Sequence, residues 1–590
     1  MRGVHGRALR IDLGTGARTV LPLPPEDFAA VLGGDGLASL LLLRECPPGV
    51  DPLGPDNPFV LASSPFVGTG ITTASKIAMA TRSPQTGMIG DSLSSSWLAI
   101  ALKRTGYDAL IVVGQAPGWS VLVVDGGETR LEPAADLLGL SPDETSDALR
   151  ARLGAGFRAA AIGVAGERGV RYAAVVNDGR LAGRTGPGAV LGAKRLKAIA
   201  VRGSRLPAVA DPKGLAVAAR QLSERSLGPE TAKYREVGTA ANVAFFDRMG
   251  TLPTRNFQTG SFAGAAGISG ETLLQEHLAD RDACAACTVG CTHHYRTTDG
   301  GPATSTRLEY ETLFALGSLC GIDDPNVVLR AAALCDRLGM DAISAGSTVA
   351  WAMECGERGI DLTPWGGAPP AFGDGAALLA TLDDIGARRG LGDLLAEGSR
   401  RASATVGQGS AAWAMHVTGL EMPGYDPRKL RTMALGLAVA TRGACHNRSS
   451  AYEIDFSDRL DPNAAVRARA QAALEAEDNA ALLDSLTICK FLRHVFVDLP
   501  SEAAELHRLV TGLPTTDADL RRAGATITTV KKRFNQRQGW TRALDTLPPR
   551  LLADDADATA LTRANLDALV DAYYAVRGWS PEGLVADPGV

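Results

Sequence analysis

The hydrophobic rhythm of the chain changes once, near Asp211. Before that point apolar residues alternate or come in short runs. Leu9, Ile11 and Leu13 alternate with polar neighbours as far as the turn Gly14-Thr15-Gly16, which is the period-two pattern of a half-buried strand. Unbroken apolar runs at Leu110–Val113, Val121–Val124 (closed by Asp125-Gly126-Gly127), Ala173–Val176 and Ala198–Val201 predict further strands between glycine-rich connectors. After Asp211 the apolar positions recur every three or four residues. Val328, Ala331, Cys335 and Leu338 share one face of a helix whose start is marked by Asp324-Pro325. The same spacing predicts helices around 464–483 and 566–576, and the Gly/Pro-rich stretch 364–375 predicts a surface connection. The pattern describes a β-rich platform followed by a helical part, an α+β chain with no tandem repeat.

A chain of 590 residues is too long for one core, and about two to four domains are expected. The 45% hydrophobic and 21% charged content suits a soluble globular protein. A net charge of -5 offers no basic field for nucleic acid. The run Lys531-Lys532-Arg533 reads as a solvated helix face. Met1 to Gly14 has neither an apolar core nor a twin-arginine pair, and Leu37–Leu43 is too short to cross a bilayer. A cytoplasmic protein without membrane insertion is the expectation. Of nine cysteines, Cys46, Cys320, Cys335, Cys355 and Cys445 are scattered, as small buried hydrophobes are.

The remaining four carry chemistry. Cys284, Cys287 and Cys291 form C-x2-C-x3-C, a loop able to give three thiolates to a 4Fe–4S cluster whose fourth ligand comes from a distant segment. Cys489 is the natural fourth, although spacing does not choose it over Cys320 or Cys445. A zinc site completed by His293 or His294 fits the same spacing nearly as well. One short pattern recurs: Asp336-Arg337-Leu338-Gly339-Met340-Asp341 and Asp484-Ser485-Leu486-Thr487-Ile488-Cys489 each set an Asp five positions before a second ligand type.

From end to end the chain resembles the aldehyde:ferredoxin oxidoreductase family. The resemblance rests on Leu32-Gly33-Gly34-Asp35-Gly36, Gly90-Asp91-Ser92, Leu102 to Asp108 and Ala182-Gly183-Arg184-Thr185-Gly186-Pro187-Gly188. It continues through Glu309-Tyr310-Glu311-Thr312, Gly419 to Arg428, Arg442-Gly443-Ala444-Cys445-His446 and Arg533-Phe534-Asn535. The resemblance implies a β-rich base over 1–208 that carries a bis-pterin cofactor holding one tungsten or molybdenum. It implies two helical domains above it, 209–415 with the cysteine loop and the first pterin segment, and 416–590 with the second. By the same resemblance Asp336, Asp341 and Asp484 bind pterin and Cys489 completes the cluster. Glu311 and His446, with Glu309 beside them, handle protons at the metal. Asp91, Ser94 and Arg184 lie on the cofactor, and Lys76 stands where the family usually has an arginine between cluster and pterin.

The implied reaction is oxidation of an aldehyde to a carboxylic acid, with electrons passed to ferredoxin or a small iron–sulfur subunit, in a homodimer or a heteromeric complex. A reductase subunit for thioester or aromatic substrates and a cluster-only electron carrier are the competing readings. Three departures from the family pattern stand out. Leu93 replaces the Asn that binds the Mg²⁺ bridging the pterin phosphates, Ser95-Ser96 replaces two glycines, and Thr487-Ile488 replaces Gly-Leu.

Overall fold

The computed structural model describes residues 1–95, 97–461, 463–553 and 560–586, so Ser96 lies outside the described residues. Two six-stranded sheets form the base. The first comprises Arg7–Asp12 (β1), Arg18–Pro22 (β2), Phe59–Ala62 (β3), Lys76–Arg82 (β4), Ile89–Ser95 (β5) and Ala109–Val113 (β6), in the order β2-β1-β6-β3-β4-β5. The second comprises Ser120–Asp125 (β7), Glu128–Pro133 (β8), Arg158–Ala161 (β9), Val175–Asn177 (β10), Arg180–Ala182 (β11) and Leu196–Arg202 (β12), in the order β11-β10-β9-β12-β7-β8. β1 runs parallel to β6 and β7 parallel to β12, while the other described pairs are antiparallel.

Burial explains the two kinds of apolar pattern. The unbroken runs β6 and β7 are interior strands covered on both faces, whereas the edge strands β2 and β8 carry polar residues to solvent. The run Ala173–Val176 is divided, and only Val175 and Val176 belong to β10. The backbone before them is engaged elsewhere: Ala173 bridges to Met340, and the Ala174 N–H donates to the Gly339 carbonyl.

The helical part follows the predicted faces. Helix Pro325–Leu338 begins at Asp324, whose carboxylate accepts from Asn326 N–H, and it buries Val328, Ala331, Cys335 and Leu338. Helices Val466–Leu486 and Arg563–Arg577 pack on each other, and residues 364–375 are exposed or half-buried apart from Pro370. Helix Gly34–Glu45 lies against the first sheet and meets Val466–Leu486 and Asp517–Arg537. A Cβ on Gly34 would lie 2.6 Å from the Ser485 carbonyl oxygen, so only glycine permits this approach.

One expectation fails. Lys531 and Lys532 are not a solvated face, being 4% and 1% exposed. Lys531 Nζ reaches Asp35 Oδ2 at 2.5 Å and Asp91 Oδ2 at 2.7 Å. Lys532 Nζ pairs with Asp545 at 3.1 Å and lies over the Trp540 ring. Carboxylates, from the base domain for Lys531 and from Asp545 for Lys532, and an aromatic face replace water around these ammonium groups. Among the described residues no helix is long and apolar enough to cross a membrane.

Candidate active site

The recurring six-residue pattern is a repeated backbone shape. After Leu338, Gly339 takes φ +72°, its N–H donates to the Asp336 carbonyl, and Met340 N–H donates to the Cys335 carbonyl. After Leu486, Thr487 takes φ +62°, its N–H donates to the Asp484 carbonyl, and Ile488 N–H donates to the Leu483 carbonyl. Both are helix ends closed by a left-handed residue. Each aims the Asp of its last turn and the residue just past the turn, Asp341 or Cys489, at one cleft. A β-branched residue at positive φ is a strained choice. Thr487 is held there by a 2.8 Å hydrogen bond between its hydroxyl and that of Ser64.

That cleft lies between base and helices. It is lined by Lys76, Ser92, Leu93, Arg184, Glu309, Glu311, Asp336, Asp341, His446, Asp484 and Cys489, with Arg307, Arg442, Arg448 and Lys490 among them. Asp341 caps the next helix, accepting from Ile343 N–H and Ser344 N–H. Arg184 donates to the Ala444 carbonyl at 2.7 Å and the Glu421 carbonyl at 2.5 Å, so its fork is engaged by protein. Burial raises the Asp336 carboxyl above its usual range despite nearby Arg307.

Asp91 and Ser94 do not line the cleft. Asp91 sits beneath it, bonded by Arg448 and Lys531. Burial alone would raise its pKa, but Arg448, Lys531 and Arg442 hold it well below the usual carboxylate range. Asp484 is treated alike: opposing burial, Lys490 at 2.9 Å and Arg448 at 2.7 Å bring it to about 2. Arg448 and Lys490 were not singled out from sequence. Their one signal is position, two residues after His446 and one after Cys489.

Glu311 and His446 face each other where the cleft turns outward. His446 Nδ1 is 3.4 Å from Glu311 Oε1, and neither atom has a hydrogen-bond partner among the described residues. Glu311 Oε2 accepts the Gly424 N–H at 3.0 Å. Burial raises Glu311 to about 8 and, helped by Arg184, keeps His446 well below its ordinary value. At neutral pH both groups are uncharged, and the pair is a carboxylic acid beside an imidazole rather than an ion pair. Glu309 accepts from the Thr239 hydroxyl at 2.6 Å.

The cysteine loop and Cys489 are drawn together by a strap of the base domain, residues 72–76. Thr73 N–H donates to the Ala286 carbonyl at 2.6 Å, and Thr73 Oγ1 accepts from Cys489 N–H at 3.0 Å. Ser75 Oγ donates to the Ala285 carbonyl, and the strap ends at Lys76 in the cleft. Burial raises the Cys291 thiol, and Glu309, Cys489, Cys284 and Cys287 add to the rise. The five scattered cysteines are buried as expected, and Cys445 also meets Arg442 Nη2 at 2.9 Å. Both ring nitrogens of His293 face carbonyl oxygens, those of Cys291 and Glu236, so this histidine is not free to ligate a metal. The cleft sets six Lys and Arg side chains beside five carboxylates, and the buried Arg442 Nε has no hydrogen-bond partner among the described residues, a donor set that fits an anionic cofactor. The free thiols of Cys284, Cys287, Cys291 and Cys489 are of the kind that would hold a cluster, although among the described residues no group of three or more such side chains is set around a single metal ion.

Comparison with known proteins agrees with this geometry. A family model described as the aldehyde ferredoxin oxidoreductase N-terminal domain matches residues 8–203, and one described as domains 2 and 3 of the same enzyme matches 217–587. The chain belongs to the aldehyde ferredoxin oxidoreductase family. The tungsten-containing aldehyde ferredoxin oxidoreductase of Pyrococcus furiosus is 34% identical over 600 residues, covering 99% of this chain and 98% of the relative. That of Thermococcus kodakarensis matches at the same identity and coverage. The WOR-like subunit of the aliphatic sulfonate oxidoreductase of Pyrococcus furiosus is 28% identical over 483 residues, 76% of each chain. Among solved structures, the active-site complex BamBC of benzoyl coenzyme A reductase shares the fold, with TM-score 0.86 and 22% identity over 99% of this chain and 96% of that one.

Proposed function

We propose that this chain oxidises an aldehyde to its carboxylic acid, with water supplying the second oxygen and two protons and two electrons released. The electrons leave singly through a 4Fe–4S cluster to a ferredoxin or small iron–sulfur subunit, in a homodimer or a heteromeric complex. A tungsten (or molybdenum) bis-pterin, bound in the cleft, supplies the two-electron chemistry. Asp336, Asp341 and Asp484 accept from pterin N–H donors, and Lys76, Arg442, Arg448 and Lys490 answer its negative charge. Arg184 shapes the wall between Asp341 and the 444 carbonyl. The Leu93 side chain has no oxygen to offer, so a Mg²⁺ held in the cleft would have to draw its ligands from phosphate, backbone and water. Cys284, Cys287, Cys291 and Cys489 hold the cluster.

The observation that carries this reading is the Glu311–His446 pair. It is a buried acid and an imidazole at the end of the cleft, and their facing atoms, Glu311 Oε1 and His446 Nδ1, have no hydrogen-bond partner among the described residues. Glu311 ionises near pH 8, so near neutrality it exchanges a proton at little cost. Its ionised form takes the proton of the oxidised substrate at Oε1, the oxygen that His446 Nδ1 faces at 3.4 Å. The test is dye-coupled aldehyde oxidation measured beside metal content. Glu311→Gln lowers turnover by about 10²–10⁴-fold with metal and iron unchanged. Near-native turnover in that variant moves the role to Glu309. Near-native turnover in both glutamate variants ends the proposal.

A further inference from the structure

The Glu311–His446 pair belongs to two cavities. Beyond the polar cleft lies a chamber of about 530 Å³, which shares Glu309, Glu311, His446, Asn447 and Phe491 with it. Cofactor chemistry accounts for the cleft and leaves the chamber for the substrate. The two differ in one respect above all. Among the described residues Phe491 is the one Phe, Tyr or Trp lining the cleft, whereas eight of the chamber's nineteen lining residues are Phe or Tyr, in a chain with 5% Phe, Tyr and Trp. A generic apolar pocket in this glycine- and aliphatic-rich chain would not concentrate rings so strongly.

The rings are fixed by one another. Tyr425 is stacked on Tyr452 with centroids 5.0 Å apart, and its ring lies 5.1 Å from that of His446. Tyr234 is stacked on Phe491 at 3.9 Å, and Phe456 on buried Phe246 at 5.2 Å. Such pairs resist rearrangement, so the space between them selects by shape. A flat ring gains offset or edge contacts on these walls, whereas a flexible alkyl chain gains burial alone and loses rotamer freedom. The polar groups near the mouth are mostly engaged with each other: Arg493 pairs with Glu453 at 2.6 Å, and Lys233 bonds Asn242. A polyhydroxylated aldehyde would find few partners to replace its water. Tyr425 and Tyr452 bring two phenol hydroxyls to the chamber lining, which suit at most one or two polar ring substituents.

We infer that the chamber takes an aryl aldehyde, its ring between the Tyr425–Tyr452 and Phe456 walls and its carbonyl at Glu311 and His446. The inference rests on the aldehyde-oxidising reading and narrows it. ArCHO and water become ArCOOH, and the two electrons and two protons pass to the acceptor and to the proton-handling pair as above.

The test uses the metal-loaded enzyme with benzaldehyde and heptanal, which have equal carbon counts, and a viologen dye as acceptor. Each ring contact contributes about 2- to 12-fold in affinity. The expected kcat/KM ratio therefore favours benzaldehyde by roughly 10-fold or more. Phe456→Leu keeps an apolar side chain but removes a ring, and it lowers that ratio by about 2- to 12-fold. Calorimetric titration of the enzyme with the products, benzoate against heptanoate, gives the same order of affinity without turnover. A ratio near unity or in favour of heptanal, or tighter heptanoate binding, overturns the aryl inference and leaves aldehyde oxidation standing. Absence of turnover with either aldehyde overturns the aldehyde reading, and the inference with it.

Discussion

Replacing Lys531 by Met tests whether the buried charge network supports the cofactor cleft from below. Lys531 Nζ lies 2.5 Å from Asp35 Oδ2 and 2.7 Å from Asp91 Oδ2, and both carboxylate side chains are 0% exposed. Met keeps the volume and removes the charge. Breaking a buried pair by removing one partner costs about 3–5 kcal/mol, because the charge left behind stays desolvated. For 590 residues the unfolding entropy is roughly 1.2 kcal/mol per kelvin, so the melting temperature falls by about 2.5–4 °C.

The pH dependence distinguishes this mechanism from simple loss of packing. Burial already raises Asp35 above its usual range, with Lys531 opposing it. Without Lys531 the opposition weakens, and the folded-state pKa rises further. A carboxyl raised in the folded state contributes stability below its unfolded value and loses it as pH climbs through the folded value. The deficit of Lys531→Met therefore grows as pH rises above the ordinary carboxylate range. Asp91 remains lowered by Arg448 and Arg442, so its contribution changes only in stronger acid. Thermal unfolding followed by circular dichroism at several pH values is the assay, and Asp35→Asn with Lys531→Met completes a double-mutant cycle. A melting temperature within about 1 °C of the parent at pH 8, or a deficit that grows on acidification, refutes the reasoning.

Three further outcomes are expected. Because Glu311 is raised to about 8, its base form fills as pH rises, so turnover climbs toward pH 8 and then levels. Glu311→Gln removes that limb, and an unchanged profile would assign it to another group. Cys489→Ser lowers both iron and pterin content because its segment also carries Asp484, whereas Asp484→Asn weakens pterin retention and leaves the cluster's absorbance and paramagnetic signal. Loss of the cluster alone in both would break that distinction. Gly163→Ala places a Cβ 2.3 Å from the Leu338 carbonyl oxygen, where the base domain crosses the first pterin segment. It should cost several kcal/mol and soluble yield, roughly at the upper end of single substitutions, and a wild-type melting temperature would contradict the tight crossing.

What was legible in the sequence was what depends on local pattern. The alternation at Leu9 and Ile11 and the runs in β6 and β7 report strand burial directly, and the spacing from Val328 to Leu338 reports a helix face. The twin patterns ending at Asp341 and Cys489 recur as twin helix ends because a left-handed residue at a fixed offset is a local requirement. Long-range pairing was not legible. Lys531 meets Asp35 and Asp91, which are 496 and 440 residues away, and nothing near Lys531 indicates that carboxylates await it. Asp91 and Arg184 sit within strong motifs. Yet Asp91 anchors the cations of the network, and the Arg184 fork is engaged by the carbonyls of Glu421 and Ala444. A motif marks a place near the cofactor without stating which atoms face it. The aromatic chamber was equally hidden, because its rings come from segments spread between Tyr234 and Phe491.

The central claim is that one chain holds both a cubane and a tungsten or molybdenum pterin. Metal analysis of the purified protein tests it most directly. The account predicts about four irons per chain together with about one tungsten or molybdenum. Iron at that level with neither heavier metal would contradict the pterin centre, and about one zinc in place of iron would contradict the cluster itself.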